Sequence, residues 1–298
     1  MNQAKVLNFF GLLLIMFGMS FAIPLFVAIF YGESLIRVFG LGMSILLLVG
    51  FLSWFFTKDN KQELSLGDGF VITVLFWIVL SVSGSIPFIL FGFGVVDSFF
   101  ESMSGITTTG ATVIAGLDDL PKSLLIYRQL LQWLGGMGLI VLAIAVMPLL
   151  GIGGGQLFKT QTPGPMNEQR LTPRITSTAR ALWSIYFVLT VLCIFAYRLA
   201  GMNYFDAVSH AFSTVSIGGF STHDLSIGFF DSLSIEIVCI TFMLLSAMSF
   251  AVHYSAIYRK QVLKYFYDPE LRFFISLLIA ILGLVCLSLF ANHIDDPI

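Results

Sequence analysis

Charged residues are scarce in this sequence. Aspartate, glutamate, lysine and arginine make up 11% of its 298 residues, and 57% of the residues are hydrophobic. Soluble domains carry about 25% charged residues, so the composition indicates an integral membrane protein. The formal net charge is only −2 and the basic residues are scattered, which argues against a nucleic-acid-binding surface.

Cysteine is also rare and shows no spacing typical of a disulfide framework or a metal site. Cys193, Cys239 and Cys286 each lie within an apolar run, and we interpret them as small packing residues at membrane depth. A dinucleotide-binding fingerprint is missing as well. Gly151–Gly155 reads GIGGG and follows no predicted strand. We expect a flexible exit from a membrane helix there, followed by a basic loop that contains Pro163–Pro165.

Long apolar runs are abundant by contrast. A helix needs about 20 apolar residues to cross the hydrocarbon core of a bilayer. Seven stretches satisfy this requirement: 6–31, 34–56, 69–91, 127–150, 179–200, 231–258 and 272–291. The first of them is longer than a signal-peptide core of about 7–15 residues. We therefore expect it to remain as the first transmembrane helix of an all-α integral membrane fold.

The charges at the ends of these stretches predict an orientation. Lysine and arginine accumulate in cytoplasmic loops of membrane proteins. With the N-terminus in the cytoplasm, most of the basic residues fall at cytoplasmic ends, namely Lys5, Lys58, Lys61, Lys159, Arg170, Arg174, Arg180, Arg259, Lys260, Lys264 and Arg272. The external ends collect only Arg37, Lys122, Arg128 and Arg198. We therefore predict a cytoplasmic N-terminus and a single alternating topology.

Two short polar segments interrupt the apolar pattern and repeat one another. They are 97–112, DSFFESMSGITTTGAT, and 206–221, DAVSHAFSTVSIGGFS. A shift of 109 positions aligns them and pairs Asp97 with Asp206, Ser104 with Ser213, Thr107 with Ser216 and Gly110 with Gly219. Both are too short to cross the bilayer, and non-helical backbone is tolerated at membrane depth only where protein or water surrounds it. We interpret them as re-entrant segments that enter from the outer face.

Hydroxyl groups and glycine in such a segment suit a cation pathway lined by backbone carbonyl oxygens. Gly110 and Gly219 are expected to have positive φ angles and to leave the lumen free of side chains. The preceding stretches, 97–106 and 206–215, are predicted to be short half-helices whose carboxyl ends favour a cation.

Three carboxylates accompany these half-helices. Asp97 and Asp206 are predicted as N-caps and as charges at the outer mouth. Glu101 has two interpretations: it attracts cations to the mouth, or it pairs locally with Arg128 or another basic residue on the outer side. The small residues at 135–138 are expected to seat the following helix against the half-helix.

A helix, a re-entrant segment and a second helix thus form a repeating unit. The predicted organisation has two N-terminal helices (1–66), a first repeat (67–150), a cytoplasmic loop (151–178), a second repeat (179–260), and a basic loop with the first helix of a third repeat (261–298). The sequence stops before a third re-entrant segment. We expect it to be part of a longer protein and to hold about half of a filter, too little to conduct selectively by itself.

The motifs FFESMSGITTTGAT, YRQLLQWLGGMGLIVLA and AFSTVSIGGFSTHD, with the PGP-containing loop, resemble the Trk/Ktr/HKT superfamily of potassium transporters, and the bacterial Trk membrane subunits most of all. The resemblance covers essentially the whole chain. It implies four helix–pore loop–helix repeats around one pore, as in a potassium channel, with one glycine in each filter. Gly110 and Gly219 match the first two of these glycines.

The resemblance also implies the ligands, partners and location. Potassium, the transported ion, would be bound by the backbone carbonyls of Thr107, Thr108, Thr109, Gly110, Ser216, Ile217, Gly218 and Gly219, with Thr108, Thr109, Ile217 and Gly218 at its centre. The chain itself would hold no tightly bound cofactor. It would lie in the bacterial inner membrane as a homodimer and work with a cytosolic nucleotide-binding ring of the TrkA type.

Three other functions compete with potassium uptake. An ion-coupled secondary transporter of another class would place charged residues at the bilayer midplane, and the predicted helix centres have almost none. An intramembrane enzyme would use Ser104 with His210 or His253 as its base. The third is a non-conducting structural subunit. Potassium and sodium both remain open as the ion.

Overall fold

A computed structural model describes residues 3–58, 66–146 and 171–291, and the regular elements within these ranges are all helical. This confirms the all-α prediction. The chain divides into two compact units, Met1–Ser246 and Ala247–Ile298, which are described separately below. Predictions that concern Gly151–Gly155 and Pro163–Pro165 lie outside the described residues.

The first unit contains nine of the helices, the last of which ends at the boundary with the second unit. They are α1 (Gln3–Ser20), α2 (Ala22–Tyr31), α3 (Ile36–Thr57), α4 (Leu66–Phe91), α5 (Val95–Ile106), α6 (Lys122–Val146), α7 (Leu171–Leu199), α8 (Tyr204–Ser216) and α9 (Leu233–Ala247). Short 3₁₀ turns lie at Leu117–Asp119 and Ser226–Phe230. The second unit contains α10 (Phe250–Tyr258), α11 (Lys264–Tyr267) and α12 (Pro269–Ala291).

Several of these helices are long and apolar enough to cross a membrane. Five spans of the described chain qualify: Gln3–Tyr31, Ile36–Thr57, Gly67–Phe91, Arg180–Leu199 and Pro269–Phe290. They carry large exposed apolar side chains such as Phe26, Phe30, Phe56 and Phe290, and an apolar surface of this extent requires lipid or a partner rather than water. The protein is therefore a multi-pass membrane protein.

The first predicted stretch is not one uninterrupted helix. A turn at Phe21 separates α1 from α2, and the Phe21 N–H donates to the Gly18 carbonyl at 3.1 Å. Pro24 lies in the first turn of α2, where the absence of its N–H is tolerated because the first turn has no intrahelical acceptors for its amides. The proline therefore allows the helix to restart after a local break.

The prediction of one helix over 231–258 is wrong. The structure has two shorter helices there, α9 ending at Ala247 and α10 beginning at Phe250. Ser249 between them has extended backbone angles, φ −55° and ψ 122°. Extended backbone cannot continue the i to i−4 hydrogen bonds of a helix, so the apolar run does not form a single helix.

Two other helix boundaries also differ from the predictions. Helix α7 begins at Leu171, inside the loop predicted for 151–178. Helix α6 begins at Lys122 rather than near 127, because the Glu33 carboxylate accepts hydrogen bonds from the backbone N–H groups of Lys122, at 2.7 Å, and Ser123, at 3.1 Å. A carboxylate at this position satisfies free amides and complements the helix dipole.

Helix α6 is the buried centre of the first unit and packs against α2, α5, α7 and α8. Its Tyr127 is fully buried, donates its hydroxyl to the Gly84 carbonyl at 2.6 Å, and makes an edge contact with the ring of Phe21. Glycines allow the close approach: a Cβ on Gly135 would collide with the Ile106 carbonyl at the end of α5. The predicted seating of this helix against the half-helix is confirmed.

In the second unit, α12 begins with a capping arrangement. The Asp268 carboxylate accepts from the N–H groups of Glu270 and Leu271, both at 3.1 Å, and Pro269 occupies the first helical position, where proline is favoured. His253 of α10 forms a 2.7 Å hydrogen bond with the hydroxyl of Tyr265. This contact joins α10 to α11 within the second unit.

Candidate functional site

Two short half-helices, α5 and α8, form the first parts of the two repeated segments as predicted, but each begins two residues earlier than expected. The N-cap positions are therefore occupied by Gly94 and Asn203, and the prediction of Asp97 and Asp206 as N-caps is wrong. Each aspartate instead lies in the first turn of its helix, where its negative charge still complements the helix dipole.

Asp206 is buried by a polar network of its own helix start. The Asn203 side chain accepts from the Asp206 N–H at 2.9 Å and donates to the Asp206 carboxylate at 2.6 Å. The Thr222 hydroxyl donates to the other carboxylate oxygen at 2.7 Å. Asp206 is only 4% exposed, unlike Asp97, which is exposed. A charge at an outer mouth has to be accessible to ions, and of these two carboxylates only Asp97 is exposed; its place at the mouth stays a prediction.

The two half-helices end in the same unusual backbone conformation. Thr108 has φ 54° and Ile217 has φ 55°, a left-handed conformation that is rare for a β-branched residue. The next amide in each segment donates back to the helix, from Thr109 to the Ser104 carbonyl at 2.9 Å and from Gly218 to the Ser213 carbonyl at 2.8 Å. These pairs are related by the 109-residue shift. The repeat seen in the sequence is therefore a repeat of backbone geometry.

The predicted filter glycines lie against each other. Gly110 has φ 78° and Gly219 has φ 86°, so the prediction of positive φ is confirmed. A Cβ built on Gly110 would overlap the Gly218 carbonyl oxygen, and one built on Gly219 would lie 3.8 Å from the Gly110 Cα. Backbone conformation and the neighbouring segment both require glycine at position 110.

The first predicted filter segment, Thr107–Gly110, is supported by its own hydroxyl groups. The Thr107 hydroxyl lies 2.7 Å from the Met103 carbonyl, to which it donates, and 2.7 Å from the Thr109 hydroxyl. Both threonines are exposed. The exposed side of the first segment therefore carries side-chain oxygens. The next residue, Gly110, contacts the second segment.

The second predicted filter segment, Ser216–Gly219, has a hydroxyl bond of its own, from Ser216 to the Ser213 carbonyl at 3.1 Å, and is also supported from α6. The Gln132 side chain donates its amide to the Gly218 carbonyl at 2.7 Å and accepts from the Phe220 N–H at 3.0 Å. All of these groups are buried, and Gln132 is 0% exposed. One side chain of the helix that follows the first filter therefore satisfies two backbone groups of the second.

Arg128 lies one turn before Gln132 and connects both segments. It is fully buried and forms a 2.7 Å ion pair with the equally buried Glu101. The guanidinium also donates to the Ser221 carbonyl at 3.0 Å and to the Thr112 hydroxyl at 3.1 Å. Its five donors in a planar fork suit such a branched contact.

These contacts decide between the two interpretations of Glu101. Its carboxylate pairs with Arg128 and accepts from the Thr112 hydroxyl, at 2.9 Å and 3.0 Å, and from the Val113 N–H at 3.2 Å. Glu101 has no exposed surface, so a position at the outer mouth is contradicted and pairing with Arg128 is confirmed. Arg128 neutralises the negative charge of Glu101, and the hydrogen bonds of the carboxylate to Thr112 and Val113 hold the backbone that follows the first segment.

The loops that follow the two filters are joined as well. The Asp224 carboxylate accepts from the N–H groups of Gly116, at 3.1 Å, and Leu117, at 3.0 Å. His223 lies 2.5 Å from the Asp118 carboxylate and 3.3 Å from that of Asp206. The hydrogen bond from His223 lowers the pKa of the Asp118 carboxyl below its ordinary value.

The contacts of His210 bear on the enzyme hypothesis. Its Nδ1 lies 2.9 Å from the Asp206 carbonyl, which can only accept, and its Nε2 lies 2.9 Å from the Ser221 hydroxyl. Both ring nitrogens are therefore used by partners other than Ser104. Ser104 is buried, and its hydroxyl has no hydrogen-bond partner among the described residues. The nucleophile–base pairing that an intramembrane protease needs is not formed with His210.

The sequence did not predict the contact of Gln132 with the second segment, nor the contacts of Arg128 beyond Glu101. Both are polar side chains in the predicted membrane stretch 127–150, four residues apart. Polar residues at that depth face the protein interior or a water-filled cavity, and residues i and i+4 share a helix face. That spacing was the available signal.

The comparisons with known proteins agree with this geometry. The family described as "TrkH: Cation transport protein" matches residues 35–298. The chain belongs to this family. It is 48% identical over 292 residues to the Trk system potassium uptake protein TrkH of Halomonas elongata, covering 97% of this chain and 61% of that protein. It is 43% identical over 297 residues to TrkH of Escherichia coli K12, covering 99% of this chain and 62% of that protein.

A solved structure shows the same fold. The crystal structure of the potassium transporter TrkH from Vibrio parahaemolyticus superimposes with a TM-score of 0.85 at 46% identity, over 100% of this chain and 61% of that chain. The sequence resemblance to the Trk family is thereby confirmed. The chain spans about three fifths of the length of these TrkH relatives.

Proposed function

We propose that this chain is part of a potassium uptake protein and supplies two of the segments that line its ion pathway. The observation that carries the proposal is the pair of backbone turns with matching φ angles at Thr108–Gly110 and Ile217–Gly219, which contact each other through their glycines. Uncharged backbone of this kind can offer carbonyl oxygens in place of the hydration shell of a cation.

The ion ligands in this proposal are the backbone carbonyls of Thr107, Thr108, Thr109, Gly110, Ser216, Ile217, Gly218 and Gly219. The carboxyl ends of α5 and α8 lead directly into these residues, and helix carboxyl ends carry a partial negative charge. Asp97, exposed in the first turn of α5, adds a negative charge that attracts cations. The names of the TrkH relatives support potassium as the ion.

The proposed setting is the bacterial inner membrane, with a cytoplasmic N-terminus. Support comes from charge asymmetry and from contacts between residues predicted to lie outside. The loop residue Glu33 contacts the start of α6, and Asp224 contacts the Gly116–Leu117 backbone. Each contact joins two segments that the alternating topology places on the same side.

Two partners belong to the proposal: a second copy of the protein, and a cytosolic nucleotide-binding subunit of the TrkA type. The word "system" in the names of the relatives supports a multi-component assembly. Purification from detergent with and without a TrkA-type subunit, followed by mass measurement in solution, tests both. A monomer that fails to retain the subunit would contradict this part of the proposal.

Ion uptake tests the central proposal. The complete gene is expressed in a bacterial strain that lacks potassium uptake, and uptake of rubidium and of sodium is measured for the parent, Gly110→Ser and Gly219→Ser. We expect the parent to prefer rubidium and both variants to lose uptake or selectivity. Gly116→Ser is the matched control, because Gly116 also has a positive φ, 73°, but has open space around it. Unchanged uptake and selectivity in both filter variants would refute the pathway.

A further inference from the structure

Gln132 makes a two-sided contact with the second filter segment that the function proposed above does not use. Its Nε2 group donates to the Gly218 carbonyl at 2.7 Å, and its Oε1 atom accepts from the Phe220 N–H at 3.0 Å. The side-chain amide of Gln132 is therefore hydrogen-bonded to the backbone on both sides of Gly219. Gln132 is fully buried on α6, so water does not compete for these bonds.

The hydrogen bond from Gln132 fixes the direction of the Gly218 carbonyl and leaves one lone pair of its oxygen free. A backbone carbonyl has two lone pairs, so the Gly218 oxygen can accept from Gln132 and still face a cation. The bond determines the direction of that carbonyl. Carbonyl direction in turn determines how well an oxygen cage replaces the hydration shell of one ion rather than another.

The same contact explains a difference between the two segments. The first reads Thr109-Gly110 where the second reads Gly218-Gly219. A Cβ built on Gly218 would collide with the side-chain amide of Gln132, so a threonine like that at position 109 would displace the glutamine. The extra glycine makes room for Gln132 rather than for the backbone angles, since Gly218 is not among the residues with positive φ.

We propose that Gln132 is a positioning residue that determines ion selectivity by orienting the Gly218 carbonyl and the Phe220 amide of the second filter segment. The inference rests on the proposed function, since it assigns a residue to the same pathway. It places the selectivity determinant of the second repeat on the helix that follows the filter of the first repeat.

Gln129 provides a matched control on the same helix. It is also 0% exposed, and neither atom of its amide has a hydrogen-bond partner among the described residues. The two glutamines share residue type, burial and helix, and they differ in contact with the filter. A general effect of changing a buried glutamine in α6 would therefore appear in both.

The experiment measures the ratio of rubidium to sodium uptake, per molecule of protein in the membrane, for the complete gene product. Gln132→Met removes both hydrogen bonds and keeps the volume similar. Gln132→Glu, when ionised, keeps an acceptor for Phe220 but has no donor for Gly218. We expect each to lower the ratio about tenfold, and Gln129→Met to leave it within about twofold. A parent-like ratio in Gln132→Met or Gln132→Glu, or an equal fall in Gln129→Met, would overturn the inference.

A binding measurement separates selectivity from folding. Purified parent and variants are heated in detergent with potassium or sodium, and the increase in melting temperature that each ion gives is recorded, because an ion that binds the native state raises that temperature. The parent should be stabilised more by potassium, and this preference should shrink in Gln132→Glu. A preference equal to that of the parent would overturn the inference. A parent without any ion preference would overturn the proposed function and the inference together.

Discussion

The first and second filter segments share a backbone but differ in what holds it. Thr107–Gly110 and Ser216–Gly219 have matching left-handed residues and matching hydrogen bonds to their half-helices. The first uses hydroxyls of its own, at Thr107 and Thr109. The second relies on Gln132, a side chain of α6. Ser216, the counterpart of Thr107, also donates its hydroxyl to a carbonyl of its half-helix, at 3.1 Å. The sequence repeat therefore preserves the path of the chain and part of its side-chain support, and Gln132 is an addition at the second segment.

The difference shows that the repeats are not independent units. Helix α6 follows the first filter in the sequence, yet its Gln132 and Arg128 bind backbone of the second at Gly218, Phe220 and Ser221. Arg128 also pairs with Glu101 of the first half-helix. A change in α6 is therefore expected to affect both segments. Four substitutions, in α6, in the two segments and in the loops after them, test how the two segments depend on each other.

The largest effect is expected at the buried ion pair. Arg128→Met leaves the Glu101 carboxylate buried without its partner, which typically costs about 3–5 kcal/mol of stability. The double variant Glu101→Gln/Arg128→Met should recover most of that loss. Lys122→Met, at the exposed start of the same helix, serves as control. Denaturant unfolding in detergent gives the free energies, and a double variant no more stable than Arg128→Met would argue against the pair.

The next effect compares the two glycines. Gly110→Ala places a Cβ against the backbone of the second segment, whereas Gly219→Ala meets only the Gly110 Cα at 3.8 Å. Both suffer from positive φ, worth about 1 kcal/mol. We expect Gly110→Ala to lose rubidium uptake at least about tenfold more than Gly219→Ala. Equal losses would mean that backbone angle, not the contact between segments, sets the requirement for glycine.

A smaller effect is expected from the hydroxyl support of the first segment. Thr107→Val removes the bonds to Met103 and Thr109 and should lower stability by about 1 kcal/mol, with a measurable fall in rubidium over sodium uptake. Thr73→Val in α4 is the control, since it removes the same kind of bond, to the Gly69 carbonyl at 2.9 Å. If both variants change selectivity equally, the hydroxyls of the first segment have no special role.

The smallest effect concerns the loops outside the filters. The hydrogen bond from His223 lowers the pKa of Asp118, so the carboxylate contributes stability above its unfolded pKa and loses it as pH falls through the lowered folded value. Asp118 is largely exposed, and the contribution is accordingly small. Asp118→Asn should lower the melting temperature slightly at pH 7 and flatten its fall under acid. A parallel decline for parent and variant would contradict this.

Much of the architecture followed from periodicity and composition. Apolar runs of sufficient length predicted the spanning helices. The 109-residue shift predicted that Gly110 and Gly219 have equivalent positive φ angles, because glycine is the residue type that adopts such angles most easily. The break between Ala247 and Phe250 was not predictable in this way. No proline or glycine marks it in the sequence, and hydrophobicity alone does not distinguish one helix from two.

The sequence by itself determined the class of protein, its two half-helices and the positive φ angles of Gly110 and Gly219, since each depends on neighbours within one or two turns. Only the tertiary structure decided which side chains support the two segments that contain these glycines. Glu101 is buried on Arg128 instead of exposed at a mouth, and Gln132 reaches Gly218 across 86 positions of sequence. Contacts between distant segments depend on how helices pack, and no local pattern records that packing.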